Sequence, residues 1–113
     1  MNEVVQNKID YLLLAKQLIP AVRKAGNVII DIYQRGAVAQ LKPDGSPVSD
    51  ADMAAEAILL PAIKAAAPFI PIVSEENSAS HNLVDAEQFF LVDPLDGTKE
   101  FLKSDGSGAF TVN

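Results

Sequence analysis

Two short apolar runs constrain the fold of this chain more than any other feature of its sequence. Ile70 to Val73 and Phe89 to Val92 are each four residues long and contain no alternating polar positions. Runs of this length and pattern are typical of strands that are buried on both faces of a sheet. Ala109 to Val112 has a similar character and predicts the start of a third strand.

The first part of the chain has the spacing of helices instead. Apolar residues between about Ile9 and Tyr33 recur at helical intervals, and Gly36 lies where such a helix would stop. Pro20 interrupts this segment. It predicts either a kink or a short helix followed by a second helix that begins at Pro20.

A second helix is predicted to begin after Ser49, a residue type that suits the N-cap position. Asp52 lies three residues further on and can complete a capping box, which is the simplest structural explanation for this aspartate. Alanine and aliphatic residues then recur at intervals of three and four up to Ala66, which predicts a buried helix face. Pro61 is expected to kink this helix, and Pro68 to end it.

Two long helices followed by the first strands of a sheet place the chain in the α/β class. Its 113 residues are enough for one small domain and not for two. The polar, turn-rich stretch from Gln40 to Pro47 predicts a loop or a hairpin tip. Asn77 to Glu87, which contains the single histidine, His81, is predicted to be a surface loop.

Composition excludes several classes of function. Nine basic and fifteen acidic residues give a net charge of −6, which argues against nucleic-acid polymers and anionic membranes as partners. The absence of cysteine excludes disulfides, thiolate metal sites and a cysteine nucleophile. The apolar run from Tyr11 to Ala15 is too short for a signal peptide or a membrane span. We therefore expect a cytoplasmic protein, with no visible anchor for peripheral association with the inner membrane.

Acidic residues follow both apolar runs at the point where each run ends. Glu75 and its neighbour follow the first run, and Asp93 and Asp96 follow the second. Buried strands that deliver carboxylates to one edge of a sheet form a suitable site for a hard cation such as Mg²⁺. Pro94 restricts the backbone between the two aspartates, so both carboxylates and the Leu95 carbonyl could face one point and hold two ions.

Gly97 and Thr98 follow these aspartates directly. Glycine lets the backbone approach a ligand closely, and a helical turn that begins at Thr98 would offer N–H groups to a phosphate. Metal ligands beside an anion-binding turn are the layout expected for phosphoryl transfer to water. The residues alone leave a simpler interpretation open, in which Asp93 to Gly97 is a solvated turn. Lys42 and Lys99 could likewise bind phosphate or point to water.

Three motifs resemble segments of the inositol monophosphatase superfamily, the lithium-sensitive, magnesium-dependent phosphatases. Leu91 to Phe101, LVDPLDGTKEF, resembles the first signature of the superfamily. Upstream, Ser46 to Asp52 resembles the segment that supplies an aspartate to the water-activating site. Val73 to Glu76 resembles the segment whose first glutamate binds metal. Lys99-Glu100 and the closing Phe110 to Asn113 are most similar to the CysQ branch, the 3'(2'),5'-bisphosphate nucleotidases.

The resemblance implies that four residues hold magnesium, with two or three ions in a complete site. Glu75 and the backbone carbonyl of Leu95 would bind the first ion. Asp93 would bridge two ions, and Asp96 would bind the second.

The resemblance also implies three catalytic residues, Asp52, Glu75 and Thr98. The Thr98 hydroxyl, paired with Asp52, would orient the attacking water, and Glu75 would help to position it. The substrate would contact a set of residues that overlaps the metal ligands: Glu75, Leu95, Asp96, Gly97 and Thr98. No covalent intermediate with the protein is implied.

The implied fold is a layered α/β sandwich of the inositol monophosphatase type, and residues 1–113 would form an incomplete N-terminal domain of it. The implied reaction is magnesium-dependent hydrolysis of the 3'-phosphate of 3'-phosphoadenosine 5'-phosphate, which would recycle a by-product of sulfate assimilation. The expected partner is therefore a small phosphorylated nucleotide, and a homodimer is left open.

Two alternatives to this function remain at the level of the sequence. Inositol 1-phosphate is the alternative substrate within the superfamily. Superfamily members are much longer, and their later Trp-Asp motif has no counterpart in these 113 residues. A truncated, non-catalytic metal-binding fragment is therefore the alternative from another class of function.

Overall fold

The computed structural model describes residues 9–36, 39–41, 47–76, 87–103 and 109–113. Three helices and four short strands follow one another along these residues. They are α1 (Tyr11–Arg35), β1 (Ala39–Leu41), β2 (Pro47–Ser49), α2 (Asp50–Ala66), β3 (Ile72–Ser74), β4 (Phe90–Val92) and α3 (Thr98–Lys103). Lys42 and the stretch 77–86 with His81 lie outside the described residues.

The first helix is continuous through Pro20, so of the two predicted alternatives the pair of separate helices is wrong, and the kink stays a prediction. Asp10 caps the helix start by accepting a hydrogen bond from the Leu13 N–H at 2.9 Å. Gly36 caps the predicted end with a φ of 91°. Pro20 is exposed and removes a single backbone donor. Burial of the apolar stripe on the same helix outweighs that loss.

The second helix begins with the predicted capping box. The Ser49 hydroxyl accepts hydrogen bonds from the N–H groups of Ala51 and Asp52, and the Asp52 carboxylate accepts the Ser49 N–H at 2.8 Å. Pro61 lies inside the helix, which ends at Ala66, two residues before Pro68. The four-residue pattern from Ser49 to Asp52 therefore predicted the start of α2 correctly.

The two long helices pack against each other in antiparallel orientation. The first turns of α1 share a groove with the last turn of α2 and the residues that follow it. Further along, alanines that are fully buried let the two backbones approach closely: Ala25, Ala51 and Ala55. Larger apolar side chains complete this core: Ile29, Ile32, Leu59, Ile63, Val92, Leu95 and Phe101. The predicted buried face of α2 is therefore confirmed.

The strands form two separate pairs. Strands β1 and β2 are antiparallel, with Ala39 opposite Ser49. They include both ends of the stretch from Gln40 to Pro47 that was predicted as a loop or hairpin tip, and residues 42–46 lie outside the described residues. Strands β3 and β4 are parallel, with Ser74 opposite Val92. Their starts lie at the groove shared by the helix ends, and their carboxyl ends therefore point towards the start of α2.

The prediction that both apolar runs are buried on two faces is wrong for β4. Val92 is buried, but Leu91 is 72% exposed. Because successive side chains of a strand point to opposite faces, the helices cover only the face that carries Val92. On the opposite face, Leu91 is exposed while its register partner in β3, Val73, is buried.

Candidate active site

Glu75 and Asp93 leave the sheet at the same edge because their strands are parallel and in register. Each follows the last residue of its strand, and the Glu75 N–H still donates a hydrogen bond to the Val92 carbonyl at 2.8 Å. Glu75 is exposed and Asp93 is half-buried. The predicted delivery of carboxylates to one sheet edge is thus present in the backbone geometry.

The turn from Asp93 to Asp96 is held by the residues at 111–113. Asp93 exchanges two backbone hydrogen bonds with Asn113, and Asp96 exchanges two with Thr111. The three residue intervals from Asp93 to Asp96 therefore pair with only two intervals, from Thr111 to Asn113. One extra residue on one side of an antiparallel pair is the mark of a β-bulge. Residues three apart in a regular strand face opposite sides, so this extra residue lets both aspartates face the same side.

The segment predicted as the start of a third strand provides this pairing. The pair of Asp96 and Thr111 forms an antiparallel bridge. The extra residue in the turn interrupts the regular ladder between these two paired positions.

Gly97 is required by the backbone at the end of this turn. Its φ is 95°, a conformation that side-chain-bearing residues rarely adopt. A Cβ atom at this position would lie 2.6 Å from the Ala109 carbonyl oxygen and 3.2 Å from Phe110. The close approach of the protein's own backbone therefore already explains this glycine, before any ligand is considered.

Replacing Gly97 with alanine is expected to lower the free energy of unfolding by about 1–3 kcal/mol, because the residue would be strained and would clash with Ala109. Chemical denaturation of the whole gene product, in its natural length, measures the loss. Gly26→Ala serves as the control, since a Cβ at Gly26 meets no atom within 4 Å. Equal stability of the Gly97→Ala and Gly26→Ala variants would contradict this account of the turn.

Asp52 lies beneath the turn and is fully buried. One of its carboxylate oxygens, Oδ2, accepts hydrogen bonds from the Ser49 N–H at 2.8 Å and the Ser49 hydroxyl at 2.7 Å. The other oxygen, Oδ1, lies 3.1 Å from the Thr98 hydroxyl, which also lies 3.2 Å from the Leu95 carbonyl. The structure therefore brings Asp52 and Thr98 together across 46 positions of sequence.

Three aromatic rings support the helix that begins at Thr98. Phe101 is fully buried and meets Phe110 edge to face, with 5.0 Å between the ring centroids. Tyr33, near the end of α1, contacts both rings at centroid distances of 5.4 and 5.2 Å. The cluster ties α1, α3 and the segment that holds the acidic turn into one packed unit.

Negative charge accumulates around Asp93. Burial raises the pKa of the Asp93 carboxyl above its usual value of 3.8, and the nearby carboxylates of Asp96, Glu75 and Asp52 raise that pKa further. A backbone hydrogen bond at Leu95 opposes the shift in this pKa. A cation near Asp93 would relieve this repulsion.

The donor types at this edge suit a hard cation such as Mg²⁺, because carboxylates and a backbone carbonyl offer only oxygen ligands. Within the part of the chain that the structure describes, no three acidic side chains converge into one coordinating group. The fit to magnesium thus rests on the chemistry of the donors and not on their convergence. The assignment of Glu75, Asp93, Leu95 and Asp96 as its ligands stays a prediction.

Two contacts near the site were not predicted from the sequence. Ser49 was expected only to cap α2, yet its hydroxyl also donates to Asp52. The Ser74 hydroxyl donates to Glu56, which links the end of β3 to α2 beside Glu75. The interval of four between Asp52 and Glu56 places both acids on one side of α2, but no local pattern pairs Glu56 with Ser74.

The structure thus defines a class of protein: an α/β fold with an acidic turn at the carboxyl ends of parallel strands and a buried aspartate–threonine pair. The pattern of the Inositol monophosphatase family matches residues 10–113. The chain therefore belongs to the inositol monophosphatase family, which confirms the resemblance found in the motifs.

Individual relatives agree with this assignment. The chain is 44% identical to the 3'(2'),5'-bisphosphate nucleotidase CysQ of Buchnera aphidicola over 94 residues, which cover 80% of this chain and 35% of the relative. It is 38% identical to CysQ of Salmonella typhimurium over 103 residues, which cover 88% of this chain and 41% of the relative. The chain thus spans about two fifths or less of the length of these relatives.

Solved structures confirm the α/β fold class. The crystal structure of the extragenic suppressor protein suhB from Bartonella henselae matches with a TM-score of 0.67 and 30% identity, covering 88% of this chain and 37% of that one. An IMPase from Thermotoga maritima matches with a TM-score of 0.65 at 22% identity, covering 92% of this chain and 38% of that one. The second likeness concerns the fold alone. No helix in the described ranges is long and apolar enough to cross a membrane.

Proposed function

We propose that the protein is a magnesium-dependent phosphatase that removes the 3'-phosphate from 3'-phosphoadenosine 5'-phosphate. The observation that carries this proposal is the buried Asp52 paired with Thr98 beside the acidic turn. Similarity to CysQ nucleotidases supports the choice of a nucleotide. Lys99-Glu100 and the Phe110 to Asn113 stretch, which resemble the same branch, support it as well.

Each group at the site would have a distinct task in this reaction. Glu75, Asp93, Asp96 and the Leu95 carbonyl would hold magnesium, and Gly97 and Thr98 would contact the phosphate. When bound there, magnesium supplies positive charge for the phosphate oxygens and Lewis acidity for the phosphoryl group.

The aspartate–threonine pair would act on the attacking water. When the Thr98 hydroxyl donates its proton to Asp52, its oxygen can accept a hydrogen bond from the water and hold it near the phosphorus, while Glu75 helps to position it. Water then adds to phosphorus and loses a proton, the bond to the ribose 3' oxygen breaks, and that oxygen takes up a proton. Inorganic phosphate and AMP are the products.

Phosphate release by the whole gene product tests this proposal. With Mg²⁺ present, we expect kcat/KM for 3'-phosphoadenosine 5'-phosphate to exceed that for inositol 1-phosphate by at least about tenfold, a difference of about 1.4 kcal/mol. EDTA should abolish the reaction. Asp96→Asn should abolish it as well, whereas Asp31→Asn on the exposed side of α1 should not.

Other outcomes of the assay would contradict the proposal in different ways. Faster release from inositol 1-phosphate would reassign the substrate within the family. Magnesium binding without release from either compound would favour the non-catalytic alternative.

A further inference from the structure

The hydrogen bonds of Ser49 do more than cap α2. Ser49 is almost completely buried and contacts one carboxylate oxygen of Asp52 twice. Its backbone N–H lies 2.8 Å from Asp52 Oδ2, and its hydroxyl lies 2.7 Å from the same atom. Helix capping requires the hydroxyl only as an acceptor, so its donation to Asp52 calls for a separate explanation.

The direction of the Ser49 hydroxyl proton is determined by the other partners of its oxygen. That oxygen accepts the N–H of Ala51 at 3.1 Å and the N–H of Asp52 at 3.3 Å. A serine hydroxyl has two lone pairs and one proton. With both lone pairs engaged by backbone donors, the proton is left for Asp52 Oδ2.

Asp52 therefore offers its two oxygens to different groups. Oδ2 accepts both Ser49 donors, and Oδ1 faces the Thr98 hydroxyl at 3.1 Å. The single Thr98 proton has a competing acceptor, the Leu95 carbonyl, at nearly the same distance of 3.2 Å. A small rotation of the Asp52 carboxylate would thus be enough to redirect the Thr98 proton to Leu95.

We propose that Ser49 is a positioning residue for the hydrolysis reaction. Its hydroxyl holds the Asp52 carboxylate in the rotation that keeps Oδ1 beside Thr98, so that the Thr98 proton goes to Asp52 and its oxygen is left for the attacking water. This inference rests on the proposed phosphatase function. In this role Ser49 acts through Asp52 and Thr98 and not by contact with the substrate.

Two substitutions separate this task from capping. Glycine caps helices nearly as well as threonine but has no hydroxyl, so Ser49→Gly removes the donor and largely keeps the cap. We expect kcat to fall about tenfold to a hundredfold, the usual scale for a misplaced catalytic group, with KM little changed. Loss of the hydrogen bond to the buried Asp52 should lower the unfolding temperature, so kcat is measured where the variant is folded. Ser49→Thr, which keeps the hydroxyl, should restore most of kcat. If Ser49→Gly does not fold, Ser49→Ala replaces it, and kcat is compared under conditions in which unfolding measurements show this variant to be folded.

A double-substitution cycle with Thr98→Val gives a readout that a merely structural role would not move. Once Thr98 has no hydroxyl, Ser49→Gly should cause little further loss of kcat, because the two residues act in one chain of hydrogen bonds. Unchanged kcat in Ser49→Gly would overturn the inference. The same fractional loss in both backgrounds, or an equal loss in Ser49→Thr, would overturn it too.

The cycle, together with the activity of the unaltered protein, distinguishes failure of the proposed phosphatase function from failure of the proposed role of Ser49. Absence of phosphate release by the unaltered protein would overturn the proposed function and this inference together. Normal release by that protein with additive substitutions would overturn only the role of Ser49.

Discussion

Replacing Asp93 with asparagine is expected to reduce phosphate release about a thousandfold, equivalent to about 4 kcal/mol of transition-state stabilisation, while making the metal-free protein more stable. The reduced rate follows from the loss of the carboxylate proposed to bridge the ions. The gain in stability follows from the removal of a half-buried charge that burial and the neighbouring acids Asp96, Glu75 and Asp52 disfavour.

The stability difference should depend on pH in a defined direction. The pKa of Asp93 is raised in the folded protein, so folding binds a proton and wild-type stability falls as pH rises from the usual value of 3.8 through the raised pKa. The advantage of Asp93→Asn should therefore be absent below that window and complete above it. Thermal unfolding in EDTA across this range measures the difference.

Magnesium should reverse the order of stability. The ion is expected to raise the unfolding temperature of the wild-type protein and to have little effect on Asp93→Asn, because a ligand stabilises only the state that binds it. Asp31→Asn provides a control at an exposed ion pair with Arg35, which contributes at most about 1 kcal/mol. A wild-type protein that is as stable as Asp93→Asn in EDTA at neutral pH would contradict the repulsion inferred here.

Replacing Phe101 with alanine is expected to lower the free energy of unfolding by about 3–5 kcal/mol. The ring is fully buried and contacts both Tyr33 and Phe110, so its removal leaves a cavity and breaks two aromatic contacts. Because the cluster also supports α3, phosphate release should fall even under conditions in which the variant remains folded. Denaturant unfolding of the whole gene product measures the change in free energy.

Phe69 offers a matched control for Phe101. It is the same residue type but is 95% exposed, so Phe69→Ala should change stability by no more than about 0.5 kcal/mol. Similar losses at the two positions would show that the aromatic cluster does not hold α3 as described.

Local features of the fold could be predicted from the sequence because their causes are local. The capping box at Ser49 and Asp52 depends on a spacing of three residues, and the end of α1 depends on Gly36. The choice between one kinked helix and two separate helices at Pro20 could not be made in this way. It depends on whether distant side chains bury enough apolar surface to offset one lost hydrogen bond.

The candidate site was predictable only in part. The runs before Glu75 and Asp93 suggested strands, and parallel pairing brings those two acids to one edge. The contact between Asp52 and Thr98 joins residues 46 positions apart, so only resemblance to a family suggested it. The exposure of Leu91 was missed for a related reason, since a run of apolar residues does not show which face another element covers.

The pairing of the Asp93 turn with residues 111–113 makes the site sensitive to length as well as to composition. Asp93 and Asp96 face one side because the three residue intervals between them pair with only two intervals between Thr111 and Asn113. One residue inserted beside Val112 would make the two paired segments equal in length. One of the two aspartates would then face the opposite side, although no carboxylate has been removed. An insertion within residues 111–113 would thus inactivate the site without changing any of its acidic residues. Natural variants of this protein should therefore differ in this segment by substitution and not by length.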